Sequence, residues 1–118
     1  MPKVTKEYFE EMILKAEKER GFTVPPIDKD ELLDRIKWKD WSAYLIGEAF
    51  LSMYRTGIMA NIDLMGVCNL DAQGKRLLFQ SIFARDVPNW NCEFLYSIEQ
   101  EIKEILGVEY KDDKVVII

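Results

Sequence analysis

The stretch from Ala43 to Thr56 constrains the fold most, because an apolar residue occupies most of its positions. A helix without a polar face has to be surrounded by other elements, so we expect this stretch to form the central helix of a bundle. Gly57 follows directly and predicts the end of that helix. Gly47, Glu48 and Ser52 interrupt the stretch, which also falls short of the ~20 residues that a membrane span needs.

Residues that cap helices precede the other helical patterns. These residues are Thr5, Asp28, Asp63, Asp71 and Asn91. They predict a helix from about 6 to 20, one that begins after 28, a short helix after 63, a helix from 72 to 85 and a last helix from 92 to 106. The region 29–56 fits either one long helix or two. We favour two helices, because Asp40 and Ser42 can each cap a new one.

Apolar residues at spacings of three and four predict the face that each helix buries. In the first helix these residues are Phe9, Met12, Ile13 and Ala16. In the 72–85 helix they are Leu77, Leu78, Ile82 and Phe83. In the last helix they are Phe94, Leu95, Ile98, Ile102, Ile105 and Leu106.

The tail from Val108 to Ile118 contains two β-leaning pieces on either side of a charged turn. This pattern predicts a small hairpin or a strand at the edge of the bundle. An isolated hairpin is only marginally stable, so the tail must pack on another element. We therefore predict a mainly α fold, in which residues 1–118 form a single domain of about five helices with a short β-prone tail.

Composition excludes several classes of function. The chain has 118 residues, 16 basic and 21 acidic residues, a net charge of −5 and no His. Without His there is no Ser-His or Cys-His catalysis and no His-ligated zinc, and we expect neither cofactor nor metal. No apolar signal core lies between Met1 and Glu7, so we expect a cytosolic protein. Cys68 and Cys92 are too few for a disulfide scaffold, and we expect two reduced thiols packed as small hydrophobes.

Aromatic and methionine residues provide the main candidate site. Met53, Met59 and Met65 surround the loop after the central helix. Such an apolar loop either packs inward or covers the surface of a partner, and the sequence leaves both interpretations open. Tryptophans beside charged residues are typical anchors of protein interfaces. The residues that we assign to partner binding are Trp38, Trp41, Met59 and Trp90.

Two alternatives use other residues. The 63–85 segment fits a helix-turn-helix DNA-binding regulator. In that case the residues that contact DNA are Gln73, Lys75, Arg76 and Gln80. The net acidity of the chain argues against this alternative, because DNA binding depends on neutralised phosphates. A third hypothesis is a carboxylate enzyme or cation site formed by Glu48, Asp63 and Asp71, although Asp63 and Asp71 also fit helix caps.

Four short motifs resemble a small uncharacterised helical family of bacterial integrative and conjugative elements and prophages. The motifs are Phe50-Leu51, Ile62-Asp63-Leu64, Leu70-Asp71 and Ile82-Phe83-Ala84-Arg85. The family has glycines before its apolar-Asp-Leu step, where this chain has Ala60 and Asn61. The resemblance implies an origin in a mobile element and implies no activity.

The sequence thus favours a non-enzymatic, cytosolic accessory or inhibitor factor. We expect it to bind another protein, or a second copy of itself, through its aromatic and methionine-rich surface.

Overall fold

A computed structural model describes residues 7, 8, 10–12, 14, 15, 25–87 and 91–118. Residues 7, 8, 10–12, 14 and 15 are helical, whereas Phe9, Ile13 and Ala16 of the first predicted stripe lie outside the described residues. The elements that follow are α1 (Lys29–Ile36), α2 (Trp41–Tyr54), α3 (Leu64–Cys68), α4 (Ala72–Ile82), a 3-10 helix (Ala84–Asp86), α5 (Cys92–Leu106), β1 (Val108–Lys111) and β2 (Lys114–Ile117). The predicted mainly α fold with a β-prone tail is confirmed.

The predicted caps set the helix boundaries. The side chains of Asp28, Asp63, Asp71 and Asn91 each accept a hydrogen bond from a backbone N–H in the first turn of the helix that follows. The break between α1 and α2 is also confirmed. Lys39 has a left-handed φ of 55°, and the Asp40 carboxylate then accepts the Ala43 N–H at 3.0 Å, which starts α2 in a new direction.

Helix α2 is the centre of the bundle, as its composition predicts. Ala43, Ile46, Phe50 and Leu51 are fully buried there. Helices α1, α4 and α5 all contact α2. At Gly47 the approach of α5 is so close that an added Cβ atom would lie 2.7 Å from the Cδ1 atom of Leu106.

The buried faces of α4 and α5 differ from the prediction at three positions. Helix α4 ends at Ile82, which is 41% exposed, and Phe83 is only half-buried. The buried residues of α4 are Gly74, Leu77, Leu78, Gln80 and Ser81. The face of α4 that packs on α2 thus includes the small polar Ser81, whereas Ile82 lies beside that face. Phe94, in the first turn of α5, is likewise 38% exposed.

The tail forms the predicted hairpin and packs on the bundle. Strands β1 and β2 are antiparallel, with Val108 opposite Ile117 and Lys111 opposite Lys114. Val108 is 2% exposed. On the other side of β2, Met59 forms a parallel bridge with Lys114, and the Met59 N–H donates to the carbonyl of Asp113 at 2.7 Å. The loop after α2 therefore pairs with the start of β2.

Candidate functional site

The chain from residue 58 to 68 lies along one flank of α2 and runs antiparallel to it. Near the end of α2, the Ser52 hydroxyl donates to the carbonyl of Ile58 at 2.5 Å. One helical turn earlier, Glu48 accepts the Asn61 N–H at 3.2 Å. The chain thus returns toward the start of α2 as it advances.

Helix α3 continues this path to the first turn of α2. A Cβ atom at Gly66 would lie 3.1 Å from the Cδ1 atom of Leu45 and 3.8 Å from the Trp41 ring. The glycine lets α3 approach α2 closely. Because α3 packs through Gly66 and the half-buried Val67, its other apolar side chains remain on the outside.

Five large apolar side chains are exposed along this flank and in the turn before α2. We call them the apolar strip, and they are Trp38 (58% exposed), Trp41 (53%), Met59 (58%), Leu64 (78%) and Met65 (67%). Trp41 and Met59, which the sequence assigns to partner binding, lie at opposite ends of the 58–68 path. Leu64 and Met65 lie on this path between Met59 and Gly66, the residue that packs near Trp41. Trp90, the fourth assigned residue, lies outside the described residues.

The buried side chain of Arg35 fixes the position of Trp38. Its guanidinium carbon lies 4.0 Å from the centre of the Trp38 ring. One guanidinium nitrogen donates to both carboxylate oxygens of Asp71, at 3.0 and 3.2 Å, and to Gln73 at 2.9 Å. The other terminal nitrogen donates to the Ser42 hydroxyl at 3.3 Å. Arg35 therefore links the tryptophan to the first turns of α2 and α4.

Three of the four candidate DNA-contacting side chains bind groups on, or just before, α1. The contacts are Gln73 with Arg35, Arg76 with Glu31, and Gln80 with the carbonyl of Pro26. Their order shows that α4 lies antiparallel to α1 and that these three side chains are turned toward α1. Lys75 is exposed on another face of α4. The structure thus does not bring the four side chains together on an open surface.

The three carboxylates of the enzyme hypothesis have separate roles. Asp63 and Asp71 cap α3 and α4, and hydrogen bonds from the Gly74 backbone N–H and from Arg35 hold the pKa of Asp71 below its usual value. Glu48 is half-buried beside Asn61. Within the described ranges, no group of three Asp, Glu, Cys or His side chains is arranged to hold a metal ion.

A polar cluster around Glu99 was not predicted from the sequence. The Glu99 carboxylate is fully buried in α5 and accepts four hydrogen bonds. The donors are Arg55 (2.6 and 2.9 Å), Tyr110 (2.6 Å) and Gln100 (2.9 Å). The cluster ties the end of α2 and strand β1 to α5.

The electrostatics of the Glu99 cluster favour the ionised carboxylate. Burial raises the pKa of Glu99, but the hydrogen bonds from Arg55 and Tyr110 outweigh burial and leave the pKa below its usual value. Burial and the hydrogen bond to Glu99 raise the pKa of Tyr110. One sequence signal indicates that Glu99 lies on the buried face of α5, because it follows Leu95 by four positions and precedes Ile102 by three. Those two residues belong to the predicted apolar stripe.

Both cysteines are exposed, so the expectation that they pack as small hydrophobes is wrong. Cys68 ends the five-residue α3, which buries none of its side chains. Cys92 is the first residue of α5 and precedes its buried stripe. The Cys92 sulfur lies 3.3 Å from the Tyr54 hydroxyl, and this hydrogen bond, together with burial, raises the pKa of Tyr54 to about 12.

Comparisons with protein-family models, with curated proteins and with solved structures yield no match for this chain. Among the helices of the described residues, none is both long and apolar enough to cross a membrane.

Proposed function

We propose that this protein is a non-enzymatic accessory or inhibitor factor that binds another protein through the apolar strip. The observation that supports the proposal is the exposure of five large apolar side chains in one region, each by more than half. Large contiguous apolar patches are uncommon on monomers and mark interaction sites. Tryptophan and methionine are enriched in protein interfaces.

The strip is anchored at Trp38 and through the backbone of α3, which lowers the cost of binding at these points. Arg35 holds Trp38, and the close packing of α3 on Leu45 and Trp41 holds the middle of the strip. Ordering a side chain on binding costs about 0.5–1.5 kcal/mol, and side chains that are already fixed avoid much of that cost.

Charge favours a different protein over a second copy as the partner. Each chain carries a net charge of −5, so self-association brings together two molecules that repel each other. The helix-turn-helix alternative receives less support, because Gln73, Arg76 and Gln80 are engaged with α1 or with the chain before it. The cytosolic location and the mobile-element origin stay part of the proposal, and cell fractionation tests the location.

Photo-crosslinking tests the proposal. A photoreactive phenylalanine analogue replaces Met65 in the strip or, as a control, the exposed Tyr96 of α5. We expect a defined crosslinked product in cells from position 65 and none from position 96. The double substitution Trp41→Ser, Leu64→Ser in the Met65-labelled protein should abolish that product while the helical circular dichroism is kept.

Light scattering distinguishes the two kinds of partner. A purified protein that stays monomeric, together with a crosslink to a different protein, supports the proposal. A dimer that the Trp41→Ser, Leu64→Ser variant dissociates shows that the strip serves self-association instead. Equal crosslinking from positions 65 and 96, or none from either, contradicts binding through the strip.

A further inference from the structure

A cavity of about 380 Å³ lies beside the middle of α2, at the Met59 end of the apolar strip. It is lined by Glu48, Met59, Ala60, Asn61, Lys114 and Val115. Its volume lies near the lower end of the ~300–1,000 Å³ that small-molecule sites span. The cavity is therefore large enough to hold a small molecule such as an amino acid.

Three contacts hold the walls of the cavity in place. Ser52 fixes the start of the 58–61 loop through the carbonyl of Ile58. The Asn61 N–H fixes the other end of the loop on Glu48. The bridge between Met59 and Lys114 joins the loop to β2. The cavity thus lies between a helix, a strand and a loop that is tied to both.

The cavity contains one negative and one positive side chain, and these two do not pair with each other. The Oε2 atom of Glu48 accepts the Asn61 N–H, whereas Oε1 forms no hydrogen bond or ion pair within the part of the chain that the structure describes. Burial raises the pKa of Glu48, and the Asn61 N–H offsets this only in part. Lys114 is exposed and likewise forms no ion pair with a described residue. Both charges are free to bind a ligand.

These charges select the class of ligand. A ligand with only a positive charge is repelled by Lys114, and a ligand with only a negative charge is repelled by Glu48. The remaining lining is partly apolar, with Met59 and Val115 on the side of the loop and the strand. We propose that the cavity binds a small zwitterion, an aliphatic α-amino acid, whose ammonium pairs with Glu48, whose carboxylate pairs with Lys114 and whose side chain packs on Met59. This proposal does not rest on partner binding, although Met59 belongs to both sites.

Amide chemical shifts of the ¹⁵N-labelled protein test the proposal with L-leucine as the probe. Two comparison compounds each lack one charge: 3-methylbutylamine has no carboxylate, and 4-methylpentanoate has no ammonium. We expect L-leucine to shift the amides of Ala60, Asn61 and Val115. Each comparison compound should bind at least about tenfold more weakly, which corresponds to about 1.4 kcal/mol.

The substitution Glu48→Gln removes the charge and keeps an acceptor for the Asn61 N–H. It should weaken L-leucine binding about tenfold or more, and Lys114→Met should do the same. The matched control is Glu104→Gln, an exposed position on α5, which should leave binding unchanged. Unchanged shifts outside the cavity show that each variant is folded.

Three results overturn the proposal. The first is the absence of shifts at these amides at about 20 mM L-leucine, well above the millimolar affinity of a weak specific site. The second is equal binding of L-leucine and 3-methylbutylamine. The third is unchanged binding in the folded Glu48→Gln variant.

Discussion

The substitution Glu99→Gln is the sharpest test of how the bundle is held together. Glu99 is fully buried and receives two hydrogen bonds from Arg55 and one from Tyr110. An amide in its place offers one oxygen instead of two, and because Arg55 donates to both carboxylate oxygens, the NH₂ group faces an Arg55 N–H whichever way the amide is turned. Removing one partner of a buried ion pair typically costs ~3–5 kcal/mol.

The expected loss in the free energy of unfolding is about 3 kcal/mol at pH 7, at the low end of that range. The Arg55 side chain is 45% exposed, so its guanidinium can turn toward water once the carboxylate is gone. Tyr110→Phe removes one hydrogen bond to a charged group and should cost about 1.5–3 kcal/mol. The double variant should lose less than the sum of both, because both changes act on the same carboxylate.

Urea unfolding followed by tryptophan fluorescence measures these losses. Glu104→Gln on the exposed face of α5 is the matched control and should change stability by less than about 0.5 kcal/mol. The pKa of Glu99 is lowered by folding, so its contribution is complete above the unfolded pKa, near 4.3, and is lost as the pH falls through the folded pKa. A loss below about 1 kcal/mol at pH 7, or one equal to that of the control, would refute the reasoning.

Three further outcomes are expected. Glu48→Gln should stabilise the protein at pH 7, because burial raises the pKa of Glu48 in the folded state and so disfavours its ionised form. Urea titrations at several pH values measure this gain in stability, which should vanish as the pH falls below the pKa of the unfolded state. Gly74→Ala should destabilise the folded protein by about 1 kcal/mol in thermal unfolding, although alanine favours helix more than glycine does. The added Cβ atom would lie 2.9 Å from Asp71 Oδ1 and 3.1 Å from Leu70 Cδ2. A gain in stability would contradict this packing. In fluorescence anisotropy, duplex DNA should not bind at about 50 mM salt, and salt-sensitive binding that Lys75→Glu abolishes would instead establish the helix-turn-helix alternative.

Local patterns were sufficient to predict the helices and their caps. A cap forms between residues two or three positions apart, as at Asp40 with Ala43, so the sequence contains both partners side by side. The central position of α2 follows equally from its lack of a polar face. The hairpin follows from β-leaning residues on both sides of a charged turn.

Pairings between distant residues could not be predicted in the same way. Arg76 pairs with Glu31 across 45 positions, and Arg55 pairs with Glu99 across 44. Nothing near either arginine in the sequence indicates its partner, because the partner depends on how the helices pack. The same reason explains Ile82, which fits the α4 stripe but is left outside by the way α4 meets α2.

The location of the candidate site was predictable only in part. The sequence assigns Trp38, Trp41 and Met59 to the site because they are aromatic or methionine residues near charges and loops, and all three are exposed. Leu64 and Met65 belong to the same surface because α3 packs through Gly66. The cavity at Glu48 depends on the pairing of Met59 with Lys114, which no local pattern encodes.

The long separation between Arg55 and Glu99 has a consequence during synthesis of the chain. A ribosome adds about 5–20 residues per second, so Glu99 is made about 2–9 s after Arg55, from which it is 44 positions away. Throughout that interval the central helix α2 exists without the α5 surface that covers it in the folded bundle. The nascent chain therefore passes through a stage in which chaperones have a hydrophobic target, and that stage ends when α5 and the hairpin emerge.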